Sequence, residues 1–104
     1  MELPASRLEE LAADLRRRFP ETLRQVVFFG SQVRGEATGE SDYDCLLVFG
    51  EVTPTIEATL ERLTGEYLLH QGLVLSCIPV STAQLEQLRF EPFVLNAQKE
   101  GLVL

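Results

Sequence analysis

A chain of 104 residues with 45% apolar and 24% charged side chains has enough apolar material for one modest core, and that balance excludes a disordered polypeptide. Its net charge of −7 excludes loose, non-specific binding to DNA or RNA backbones, which needs clustered Lys and Arg to displace counterions. No run approaches the ~20 apolar residues of a membrane span, and Met1-Glu2-Leu3-Pro4 has no basic stretch leading into an apolar one, so the expectation is a single cytoplasmic domain over residues 1–104. A domain this small buries a modest share of its surface, which keeps a partner subunit or a homo-oligomer in view.

Leu8, Leu11, Ala12, Leu15 and Phe19 recur at helical spacing, predicting an amphipathic helix from Ser6 to Phe19 with Ser6 and Glu9 as a capping box and Pro20 as its stop. Arg16-Arg17-Arg18 falls in its last turn, where positive charge suits the helix C-terminus. Val26 to Phe29 reads as a buried strand, Ser31 to Arg34 as one helical turn, and Gly35 to Glu40 as a polar loop. Asp44 to Phe49 is the second strand; its continuous apolar middle, Cys45-Leu46-Leu47-Val48, implies cover on both faces.

Thr53 and Pro54 open a helix that presents Ile56, Leu60 and Leu63 on one side, with Gly65 as its expected stop or interruption. Leu73 to Val80 is the third strand, with an expected break at Pro79, and Ser81 with Gln84 caps a short helix through Leu88. Phe93 to Lys99 is a last helix ended by Gly101, and the apolar tail beyond it should return to the core or meet another subunit. Strands separated by helices imply an α/β (α+β) layer fold with a small mixed sheet of three or more strands. Cys45 and Cys77 lie in strand-like runs without metal or redox spacing and read as buried free thiols. The lone His70, near a helix end, reads as a surface or capping residue.

The chemistry concentrates in Phe29-Gly30-Ser31-Gln32-Val33-Arg34-Gly35 followed by Ser41-Asp42-Tyr43-Asp44. A small-residue turn after a buried strand, with Ser31 capping a helical turn, points backbone N–H groups at an anion. Asp42 and Asp44 at i and i+2 of an extended chain leave one face together and can share a cation, while Tyr43 between them points to the core. Hard divalent ions are held by one or two carboxylates plus substrate phosphates, so the local reading is a phosphate with Mg2+ or Mn2+. Arg34 can contact phosphate or brace the loop through Asp42 or Glu36. Ser41 can supply a hydroxyl to the nucleotide or cap the turn that presents Asp42.

The pattern G-S-x-x-R-G followed by S-D-x-D resembles the signature of the nucleotidyltransferase superfamily related to DNA polymerase β, and the short chain is similar to its minimal branch along almost its whole length. The resemblance implies a nucleotidyltransferase fold, nucleotide binding by Gly30 and Ser31, catalytic metal binding by Asp42 and Asp44, and transfer of a nucleoside monophosphate from an NTP such as ATP; Arg34 and Ser41 join the candidate nucleotide-binding residues on their own chemistry. The family also supplies a third carboxylate from a later, adjacent strand. Gly72-Leu73-Val74-Leu75-Ser76-Cys77-Ile78-Pro79 contains no acid, and Ser76, its polar interruption, is taken as the substituted position. Three readings follow: an active minimal transferase, an antitoxin that modifies or binds a HEPN-domain toxin, and a nucleotide-binding or structural subunit without catalysis.

Overall fold

The computed structural model describes residues 5–29 and 42–104, with Asp42 described through its backbone alone. Helix α1 (Ala5–Arg18) begins one residue before the expected cap at Ser6. Its buried stripe of Leu8, Leu11, Ala12 and Leu15 is the one that the periodicity marks. The Phe19 amide still reaches the Leu15 carbonyl at 3.1 Å, and Pro20 prevents a further turn. The arginines of the last turn are tethered as well as solvated. Arg16 donates to the Leu104 carbonyl at 2.7 Å and Arg18 to the Glu66 carboxylate at 3.0 Å.

Strand β1 (Leu23–Phe29) pairs antiparallel with β2 (Asp42–Phe49), with Val27 opposite Leu46. Helix α2 (Pro54–Gln71) then crosses to β3 (Val74–Ser81), which pairs parallel to β2. Two short helices, α3 (Thr82–Gln87) and α4 (Pro92–Glu100), lead to β4 (Leu102–Val103), antiparallel to β1. Among the described residues the order β3-β2-β1-β4 makes a mixed four-stranded sheet with flanking helices, the α+β layer arrangement expected. The apolar tail returns to the sheet, and the Leu104 amide donates to the Val26 carbonyl at 2.9 Å.

The pleat sorts β2 between two cores. Tyr43, Cys45, Leu47 and Phe49 join one with Leu11 and Leu15 of α1 and Leu60 and Leu63 of α2. Leu46 and Val48 join the other with Val27, Phe29, Val80 and Ala97, and Leu85 and Phe93 pack against it. Cover on both faces is why the run lacks polar alternation. Tyr43 is buried at 1% exposure on the α1 and α2 side, and Phe19 meets Phe49 edge to face at 5.1 Å at the other end of the strand.

Two expected breaks do not occur. Gly65 sits inside α2, which runs on to Gln71; a helical glycine costs about 1 kcal/mol against alanine, less than burial of Ile56, Leu60 and Leu63 supplies. The stop is Gly72, at φ +65°, whose amide reaches the Leu68 carbonyl at 3.1 Å. Pro79 stays within β3 because this strand lies at the edge of the sheet, where a missing N–H is tolerated. The expected capping box forms: the Ser81 hydroxyl accepts from the Gln84 amide at 3.0 Å, and the Gln84 side chain accepts from the Ser81 amide at 2.9 Å. His70 is exposed, and no helix among the described residues is long and apolar enough to cross a membrane.

Candidate functional site

The acidic pair stands at the start of β2, where the strand emerges between its neighbours. Asp44 lies opposite Phe29 of β1 on one side and opposite Ser76 of β3 on the other. Asp42 lies opposite Val74. Asp44 shares its parity with Leu46 and Val48, and Ser76 shares its own with Ile78 and Val80; all four apolar residues belong to the core on the α3 and α4 side. Period-2 alternation therefore gives Asp44 and Ser76 one face of the sheet. Asp44 is half-buried there, Phe29 beside it is buried, and Ser76 is exposed.

Gly30, Ser31, Arg34 and Ser41, the residues assigned to the nucleotide, lie outside the described residues. They fall in sequence between Phe29 and Asp42, the last residue of β1 and the first of β2, two strands that pair. The structure thus brings together Phe29, Asp44 and Ser76. Among the described residues no group of three or more His, Cys, Asp or Glu side chains gathers where a metal could sit.

A feature not anticipated from the sequence is a groove of about 400 Å3 along the edge of β3, lined by Glu57, Leu60, Glu61 and Thr64 of α2 and by Leu75, Ser76, Cys77 and Pro79. Glu57 and Glu61 stand at i and i+4, a spacing that sets two side chains on one helix face. That spacing was the available signal, obscured because it reads equally as a solvated face. The helix bearing these acids packs on the opposite side of the sheet from Asp44.

Directly beside this pair of positions, Cys45 and Cys77 also face each other across β2 and β3. The Cys45 thiol donates to the Cys77 sulfur, which holds Cys77 below the usual thiol range against the opposing effect of burial. The same hydrogen bond, followed by burial, pushes Cys45 well above that range. Away from the acidic pair, Asp14 of α1 is buttressed by Tyr67 of α2, whose hydroxyl donates at 2.7 Å. Burial raises the Asp14 pKa, but Tyr67 and the nearby Arg18 and Arg17 outweigh it and leave the carboxyl below its ordinary value.

Comparison with known proteins agrees with this architecture. The nucleotidyltransferase domain family model matches residues 8–101. A relative from Methanocaldococcus jannaschii, provisionally named as a protein adenylyltransferase, is 30% identical over 97 residues, covering 93% of this chain and 93% of its own. Among solved structures, a chain from the crystal structure of a toxin-antitoxin MntA-HpeT mutant matches with a TM-score of 0.60 at 20% identity, covering 92% of this chain and 70% of that one. The fold is shared with that chain, and the length and identity of the sequence matches go further: this chain belongs to the nucleotidyltransferase domain family, as a minimal nucleotidyltransferase.

Proposed function

We propose that the protein is a magnesium-dependent nucleotidyltransferase that moves a nucleoside monophosphate from an NTP, with ATP as the first candidate, onto a protein, and that it serves in the cytoplasm as antitoxin or partner of a HEPN-domain toxin. Family membership supports the transfer chemistry. The name of the M. jannaschii relative supports an adenylyl group and a protein acceptor, and the toxin-antitoxin complex that contains the structural neighbour supports a protein partner. The observation that carries the reading is the half-buried Asp44 at the start of β2, beside Phe29, which precedes Gly30-Ser31 in the sequence.

The donor set fits a hard divalent ion. Asp42 and Asp44 offer carboxylate oxygens from one strand, while the nearest soft ligand, Cys45, joins the core on the other face. These two aspartates would hold Mg2+ or Mn2+, which when bound neutralises charge on the triphosphate. Gly30 and Ser31 are assigned to hold the departing pyrophosphate in line with the attacked phosphorus, and Arg34 and Ser41 to contact the nucleotide or brace the turn. Phe29, Leu46 and Val48 form a dry floor next to Asp44. Ser76 is a neutral neighbour: its hydroxyl can hydrogen-bond but cannot take a proton from an acceptor hydroxyl at neutral pH. A base must therefore come from another acid of the chain, from the acceptor or from the partner protein; without one, turnover is slow or absent.

The serine in place of an acid also favours a second reading, a nucleotide-binding subunit without catalysis. Calorimetric titration with Mg-ATP separates binding from no binding: wild type binds, and the Asp42→Asn, Asp44→Asn double variant does not. Equal affinity in both would remove the metal role. Incubation with labelled ATP and a HEPN-domain protein separates the two readings, since label moves to protein in the first and stays in ATP in the second.

A further inference from the structure

We propose that Cys45 and Cys77 are a redox-active dithiol which hydrogen peroxide closes to a disulfide, with Cys77 reacting first. The two residues are register partners on the parallel strands β2 and β3. Cys45 belongs to the core under α1 and α2, and Cys77 packs against that same core. Neighbouring strands lie about 4.8 Å apart, within the roughly 4.4–6.8 Å that Cα atoms span in disulfides, so closure asks for little strand movement. Both are free thiols.

Access distinguishes them. Cys45 has 0% of its surface exposed, whereas Cys77 is half-buried and lines the edge groove with Glu57 and Glu61. A reagent entering from solvent meets Cys77. The thiolate is the nucleophilic form of a thiol, and Cys77 is the sulfur of the two that solvent reaches. The two groove carboxylates repel an anionic oxidant such as oxidised glutathione, which leaves a small neutral peroxide as the fitting reagent.

In the first step the Cys77 thiolate attacks one peroxide oxygen; the S–O bond forms, the O–O bond breaks, and the hydroxide that leaves takes up the proton Cys77 gave to solvent on ionising and becomes water. Cys77 is then a sulfenic acid. In the second, the Cys45 sulfur attacks the Cys77 sulfur; the S–S bond forms, the S–O bond breaks, and the departing hydroxide takes the Cys45 proton and leaves as water. One peroxide becomes two waters, and the two thiols are oxidised by two electrons. A dithiol reductant reverses the reaction by exchange.

The test is intact mass measurement under non-reducing conditions after peroxide treatment of the folded protein. Wild type should lose the mass of two hydrogens and both thiols that maleimide labels after unfolding, and recover them with dithiothreitol. The Cys45→Ala variant should instead gain one oxygen, trapped by dimedone at Cys77. Cys77→Ala should keep its remaining thiol under the same treatment. Retention of both thiols in wild type would overturn the proposal, as would oxidation of Cys45 in Cys77→Ala at the wild-type rate. Because these readouts need neither nucleotide nor metal, they stand apart from the transfer reaction.

Discussion

Asp44 and Ser76 face one another across the parallel pair β2 and β3, so an acid placed at residue 76 would stand beside the carboxylate of Asp44 on the same face. Two consequences can be measured. Ser76→Asp should lower stability without metal by about 0.2–1 kcal/mol, the scale of cross-strand pair energies, since like charges directly opposite in a sheet are destabilising, and added Mg2+ should restore the midpoint of thermal unfolding. It should also raise label transfer from ATP by roughly tenfold or more, which corresponds to about 1.4 kcal/mol of barrier. No destabilisation and no metal rescue would mean that residue 76 does not address the Asp44 site.

Gly65 and Gly72 make a paired prediction on α2. An added Cβ meets nothing within 4 Å at either position, but only Gly72 has a positive φ, +65°. Gly65→Ala should stabilise the protein by about 0.5–1 kcal/mol through helix propensity. Gly72→Ala should destabilise by about 1–2 kcal/mol, the cost of a left-handed backbone for an L side chain. Urea midpoints shifting in opposite directions are the expected result; a shared direction would contradict the assigned helix end.

A close approach sets a third expectation at Gly101. Its Cβ, if present, would collide with the Ala97 carbonyl oxygen and a Val27 methyl. Gly101→Ala should therefore cost about 1–3 kcal/mol as overpacking, and hydrogen exchange at the Leu104 amide, which bonds to Val26, should rise well above wild type while amides of β2 stay protected.

Tyr67→Phe should remove the 2.7 Å hydrogen bond to Asp14 and cost about 1.5–3 kcal/mol near neutral pH, as expected for a bond to a carboxylate. The Asp14 pKa lies below its ordinary value when folded. Its contribution is therefore fully present above the unfolded carboxylate value of about 3.9 and is lost as pH falls through the folded value. Wild type and Tyr67→Phe should differ most above that point and converge in stronger acid. A gap independent of pH would assign the loss to packing alone.

The elements legible in the sequence were those whose signals are local. The spacing of Leu8, Leu11 and Leu15 marked α1, and the unbroken Cys45-Leu46-Leu47-Val48 run marked a strand with two covered faces. Ser81 and Gln84 announced a helix start. What the sequence obscured depended on neighbours. Gly65 reads as a stop, yet the packing of Leu60 and Leu63 carries α2 past it. Pro79 reads as a break, yet an edge strand can keep it. Leu102–Val103 is too short to have a period and is a strand only because β1 is there to pair with it. The groove beside Cys77 needed the crossing of α2 over β3, which no single segment encodes. The acidic pair was legible as a motif, and its placement beside Phe29 and Ser76 came from the register.

The two outer strands also determine how this sheet meets others of its kind. β3 carries Pro79, which removes one backbone donor, and β4 is two residues long. Neither rim therefore presents a long, uninterrupted ladder of donors and acceptors on which a further chain could template, and this is how native sheets avoid runaway stacking. A chain whose sheet ends in such rims is guarded against polymerising strand by strand through its edges, whatever concentration it reaches.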